Sequence, residues 1–259
     1  MSVIQSESKQ THEFDTKTLS GYLFGGREAI LAATNTPGCL WLGLLFVLSA
    51  GFARGYNKED LLREPWHLLL PLVASLVTSF VLYLLLYWKL SATQSGMLDF
   101  GVGYRKFLSL YWLTAPLAWV YAIPVENFLP PLEATQLNFA LLAIVSVWRV
   151  LLITRAICVW LNARWWSALP LVLWFADSVL MILAYTVPRP IFSIMGGMHH
   201  LSETESFIAG IGFSTMILST MAWPILAIIA AVVTVIDRNW QVSNGVVPYC
   251  GHVGKSAWL

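Results

Sequence analysis

Charge is what this chain has least of. Only 11% of its 259 residues are Asp, Glu, Lys or Arg, less than half the share of an ordinary soluble domain, which excludes that class. The few charges also balance, at 15 basic against 14 acidic for a net charge of +1. With no basic field and no basic run interleaved with aromatics, no nucleic-acid partner is expected. Cysteine is sparse too. Cys39 and Cys158 fall inside apolar spans, Cys250 lies near the C-terminus, and no CxxC or Cys/His spacing occurs, so neither a disulfide framework nor a zinc site is expected. The chain contains no GxSxG elbow, no HExxH, no phosphate loop and no pair of in-span histidines that would clamp a haem. No enzyme and no cofactor are expected. Met1 to Ser20 has no basic start, apolar core or small-residue cleavage site, so the first membrane span is expected to act as its own insertion signal.

What the chain has in abundance is apolar surface: 58% hydrophobic and 14% aromatic residues, with a mean hydropathy of +0.69. The expected class is all-α, a polytopic transmembrane helix bundle of about six spans. Residues 1–24 read as a disordered cytosolic tail, residues 25–236 as the transmembrane domain, and residues 237–259 as a cytosolic C-terminal tail. Arg27 to Ala32 forms a short amphipathic stretch suited to the interface. Thr36 and Pro37 then restart the chain as cap and first turn of span one, about 37–53. Span two covers about 66–88, with aromatics at both ends. Span three, about 107–125, contains Pro116 and Pro124 and is expected to be kinked or partly unwound. Spans four and five form a hairpin from Leu137 to Val187 across the polar turn Asn162 to Ser167, and span six covers about 207–236.

With six spans, Lys9, Lys17, Arg27, Lys89, Arg105, Lys106, Arg164, Arg238 and Lys255 collect on one side. Arg54, Lys58, Arg63 and Arg189 collect on the other. That excess places both termini in the cytoplasm. No internal repeat of the inverted-transporter kind is visible.

Arg149 in span four and Asp177 in span five lie almost equally far from the turn, so folding the hairpin brings them to one depth. An arginine at helix centre costs roughly 2.5 to 3.5 kcal/mol on insertion scales. Arg149 shares a face with Ser146 and Ala156 and is expected to turn inward to Asp177, while Arg155 snorkels to the headgroups. The pair has two readings: a buried ion pair that fixes helix register, or a coupling pair for a proton or substrate. Ser214, Thr215 and Ser219 in span six, with Ser146, form a candidate polar pathway. Their small-xxx-small spacing, including Gly210 to Ser214, equally suits packing. His199, His200, Glu203 and Glu205 are better read as a helix start, Ser202 to Glu205 forming a capping box, than as a metal site.

Two stretches resemble a known family. The run Ile144-Val145-Ser146-Val147-Trp148-Arg149-Val150-Leu151-Leu152, followed by Trp166-Ser167-Ala168-Leu169, and the entry Gly26-Arg27-Glu28-Ala29-Ile30 are similar to Yip1-type polytopic proteins. That resemblance implies a small helical bundle with a cytosolic N-terminus, associated with membrane organisation and trafficking. The family commonly has five spans, and it assigns no role to Arg149 or Asp177. The expectation is therefore a non-enzymatic integral membrane protein that organises or binds lipids or partner membrane proteins, self-association included. The alternative is a small transporter or ion-coupled permease built on Arg149 and Asp177.

Overall fold

The computed structural model of the chain describes residues 15–54, 69–91, 99–186 and 202–244. Among these there are eight α-helices and no strand: α1 Thr16–Leu23, α2 Arg27–Asn35, α3 Gly38–Arg54, α4 Leu70–Ser91, α5 Phe100–Trp112, α6 Pro131–Trp160, α7 Trp165–Thr186 and α8 Glu203–Asn244. Four of them are long and apolar enough to cross a membrane, and α2 with α3, bent by 103°, makes a fifth if the pair counts as one span. The chain is thus an all-helical protein of integral membrane type.

Span three is partly unwound, as its prolines lead one to expect. Its continuous helix ends at Trp112, and a 3-10 helix, Ala115–Ala122, carries the chain on. Pro116 is the cause, since it has no N–H to donate and its ring clashes with the carbonyl one turn back. The ladder changes hand-over just before it: Thr114 N–H bonds to Tyr111 O at 3.3 Å, not to Leu110 O. The carbonyl of Leu110 is freed, and the hydroxyl of Tyr22 in α1 donates to it. Tyr22 is fully buried, and that burial keeps its phenol protonated well above the ordinary range. Residues 16–23, expected within a disordered tail, are therefore a docked helix. Residues 1–14 and 245–259 of the two expected tails lie outside the described residues, as do His199 and His200.

The broken segment is the axis of the bundle. Phe107 to Ala115 is almost continuously buried. It runs parallel to α3, with Cys39 packed near Leu110 and Leu113, Val47 near Ala115, and the Trp119 indole N–H on Ser49 Oγ at 3.1 Å. It runs antiparallel to α4: Tyr83 hydroxyl to Phe100 O at 3.2 Å, Thr78 to Tyr111 hydroxyl at 3.1 Å, Trp112 indole N–H to Ser75 Oγ at 3.2 Å. It is antiparallel to α6 as well, with Trp160 beside Phe107 and Arg149 beside Thr114.

The α6–α7 hairpin closes as the sequence suggests. Asn162 takes a left-handed conformation at φ 49°, and Ala163 N–H bonds back to Cys158 O at 2.9 Å, the six-to-one bond that ends a helix on a left-handed residue. α8 opens on the expected capping box: Glu205 N–H bonds to Ser202 Oγ at 3.3 Å, and Ser202 N–H to Glu205 Oε2 at 2.9 Å.

Candidate functional site

Equal depth did not make Arg149 and Asp177 partners. No ion pair or hydrogen bond joins them. Distance from a turn fixes the height of a residue, whereas its bearing around the helix axis decides which neighbour it meets. Arg149 turns toward the 3-10 segment and Asp177 turns toward α8.

Asp177 belongs to a polar seam between α7 and α8. Ser219, 3% exposed, donates to Asp177 Oδ1 at 2.7 Å. Trp223 donates its indole N–H to Ser178 Oγ at 2.9 Å and lies beside Trp174, ring centroids 5.9 Å apart. Asp177 Oδ2 and the Trp174 indole nitrogen are both buried and, among the described residues, have no hydrogen-bond partner. Of the expected polar pathway only Ser219 is in this seam. Thr215 is half-buried, while Ser214 and Ser146 are exposed, and Ser146 bonds only back to Leu142 O within its own helix.

Arg149 is in a different setting. Its Nε donates to Thr114 Oγ1 at 3.1 Å, and its guanidinium carbon stands 4.9 Å from the centre of the Tyr111 ring. Both partners come from the place where α5 gives way to the 3-10 helix, so the break created by Pro116 is what presents them. Arg155, by contrast, is exposed, with its Nε 3.4 Å from Gly25 O.

Around Arg149 the helices leave a cavity of about 350 Å³. Its polar wall is Ser75, Thr78, Tyr111, Thr114 and Arg149, and the remainder is apolar, from Val47 and Ala50 through Leu117 and Ala118 to Val145 and Val179. Pro71, Ala50 and Leu183 take it toward the end of the bundle where α4 starts and α7 finishes. Among the described residues no Asp or Glu lines it.

One more cluster, not anticipated from sequence, ties the opposite end. Lys89 Nζ at the end of α4 donates to Ser167 O and Ser167 Oγ at 2.6 Å and lies 3.8 Å from Asp237 of α8. Ser167 Oγ donates in turn to Asp237 Oδ2 at 2.5 Å. Lys89 and Asp237 are near helix ends and far apart in sequence, so only the three-dimensional arrangement brings them together.

These features define a polytopic helical membrane protein with a polar, arginine-bearing cavity beside a broken central segment. No family model, curated protein or solved structure matches the chain.

Proposed function

We propose that this is a non-enzymatic, six-crossing membrane protein with both termini on the cytoplasmic side, and that it binds a small solute inside its bundle, as a permease does. One observation carries the solute reading: Arg149 lines a cavity in which, among the described residues, no carboxylate neutralises it. An arginine retained only to fix register would be expected to meet its counter-charge, and an intramembrane charge turned to a cavity is first a ligand-site candidate.

The sixth crossing is the broken segment. From Phe107, just past Arg105 and Lys106, the α-helical residues to Trp112 rise roughly 9 Å, the two residues of the turn roughly 3 Å and the 3-10 residues Ala115–Ala122 roughly 16 Å, close to the about 30 Å of hydrocarbon. Non-helical backbone is tolerated at that depth where protein buries it, as it buries Ala115, Leu117 and Ala118 here, while Trp119 and Val120 are exposed. The Lys89 to Ser167 bonds hold the end of α4 beside the start of α7, which supports an even number of crossings between them, the broken segment and α6. Trp88, Trp165 and Trp166, all exposed at that end, suit a headgroup belt.

The test is flux. Wild-type protein in liposomes should accumulate a labelled solute from a panel of small ions and organic solutes, and Arg149→Gln should abolish the uptake while preserving the melting temperature within a few degrees. No uptake of any solute by the wild type would sink the permease reading.

A second reading rests on α8. Its outer face exposes Leu218, Met221, Ile225 and Ile228, and Gly210 and Ser214 are exposed on the same helix. That face suits lipids or a partner membrane protein, in keeping with the organising role that a Yip1-type resemblance implies. Crosslinking from Leu218→Cys that captures a dimer or a partner, without solute uptake, would favour it.

A further inference from the structure

The Arg149 cavity is specific enough in its chemistry to name a ligand class, given the solute-binding reading on which this rests. Guanidinium stays protonated under all physiological conditions and carries five N–H donors. Here one, on Nε, is committed to Thr114 Oγ1. Among the described residues no protein group accepts from the four on the terminal nitrogens. The hydroxyls around it offer almost nothing comparable. Thr114 donates to Tyr111 O, Ser75 to Leu72 O and Thr78 to Ala74 O, which leaves the Tyr111 hydroxyl to donate to Thr78. A sugar or polyol would meet a wall whose own hydrogens are already engaged. A carboxylate needs only the planar fork, which matches it bidentately.

Charge balance narrows the class further. The lining carries one positive charge and, among the described residues, no negative one. A single anionic group brings the site to neutrality, whereas a dianion leaves a net negative charge away from water and a cation adds to the repulsion. The rest of the wall, Val47, Ala115, Leu117, Ala118, Val145 and Val179, is apolar, and about 350 Å³ suits a compact molecule. We infer that the cavity is a binding site for a monocarboxylate with a compact apolar body, its carboxylate on the Arg149 fork and its body toward Leu117 and Ala118.

Benzoate is a suitable probe, measured by calorimetry on the full chain in detergent and carboxylate-free buffer. Benzoate should bind about tenfold or more tighter than its neutral isostere benzamide, than benzylamine and than the dianion phthalate, since only benzoate both fills the fork and neutralises it. Arg149→Lys, which keeps the charge and loses the fork, should weaken benzoate about tenfold. Should the Arg149 variants not fold, Ala118→Leu, which fills the apolar part, should weaken benzoate as much with the chain still folded. Equal binding of benzoate and benzamide, or benzoate binding untouched by Arg149→Lys and by Ala118→Leu, overturns the assignment. Benzoate binding without uptake of any solute in liposomes keeps the site and removes the permease reading. Uptake of another solute without benzoate binding keeps the permease and removes the ligand class.

Discussion

At the scale of single residues, the bundle is sensitive where small side chains let backbones meet. A Cβ on Gly43 would lie 2.7 Å from the Cβ of Trp112 and 3.5 Å from its carbonyl carbon. Those atoms belong to the last turn of α5 and cannot swing aside. Gly43→Ala should therefore cost about 1 to 3 kcal/mol as overpacking, read as a lower melting temperature in detergent. Gly210 is the contrast. Among the described residues nothing lies within 4 Å of a Cβ added there, so Gly210→Ala should leave stability unchanged or raise it by up to about 1 kcal/mol through helix propensity. Tyr22 is sensitive for a different reason, since its hydroxyl answers a carbonyl that the helix break sets free. Tyr22→Phe keeps the ring and leaves Leu110 O buried without a donor, a loss of about 1 to 3 kcal/mol in the same assay.

At the scale of elements, what was legible in the sequence was whatever depends on local order. The amphipathic entry before span one, the Asn162 turn, the capping box at Ser202 and the disruption at Pro116 each follow from residues a few positions apart, and each is present. What was not legible depends on bearing and on distant partners. Arg149 and Asp177 lie almost equally far along the chain from the turn but face different helices, because Asp177 meets α8 and Arg149 meets the start of the 3-10 segment. Thr16 to Leu23 looks like tail because its polar residues are read alone; its helix exists where Tyr22 fits the gap beside Leu110. The same contrast governs Lys89, Ser167 and Asp237, which join α4, α7 and α8. Lys89→Met alone leaves the Asp237 carboxylate without its counter-charge at a partly buried site and should destabilise by about 1 to 3 kcal/mol. The double change Lys89→Met with Asp237→Leu should recover most of that loss, because removing both charges of a poorly hydrated pair is nearly neutral. A double variant no better than the single one would show that the bonds to Ser167, not the charge pair, carry the tie.

For the whole molecule, the number of crossings turns on whether residues 100–128 go through the membrane or return to the side they left. The antiparallel run of this segment against both α4 and α6 favours passage. Gly101 and Phe128 flank it and both are exposed, Phe128 at 80%, which makes them suitable reporters. In a background with Cys39, Cys158 and Cys250 replaced by alanine, Gly101→Cys and Phe128→Cys should react with a membrane-impermeant maleimide from opposite faces of sealed vesicles. Gly101→Cys should share its face with Asn162→Cys, in the α6–α7 turn, because the Lys89 to Ser167 bonds hold that turn beside the end of α4. Labelling of positions 101 and 128 from one face would make the segment re-entrant and reduce the count to five. It would also put the two termini on opposite sides. The Arg149 cavity would then be the floor of a re-entrant loop, as in a channel vestibule, and not the middle of a six-crossing bundle.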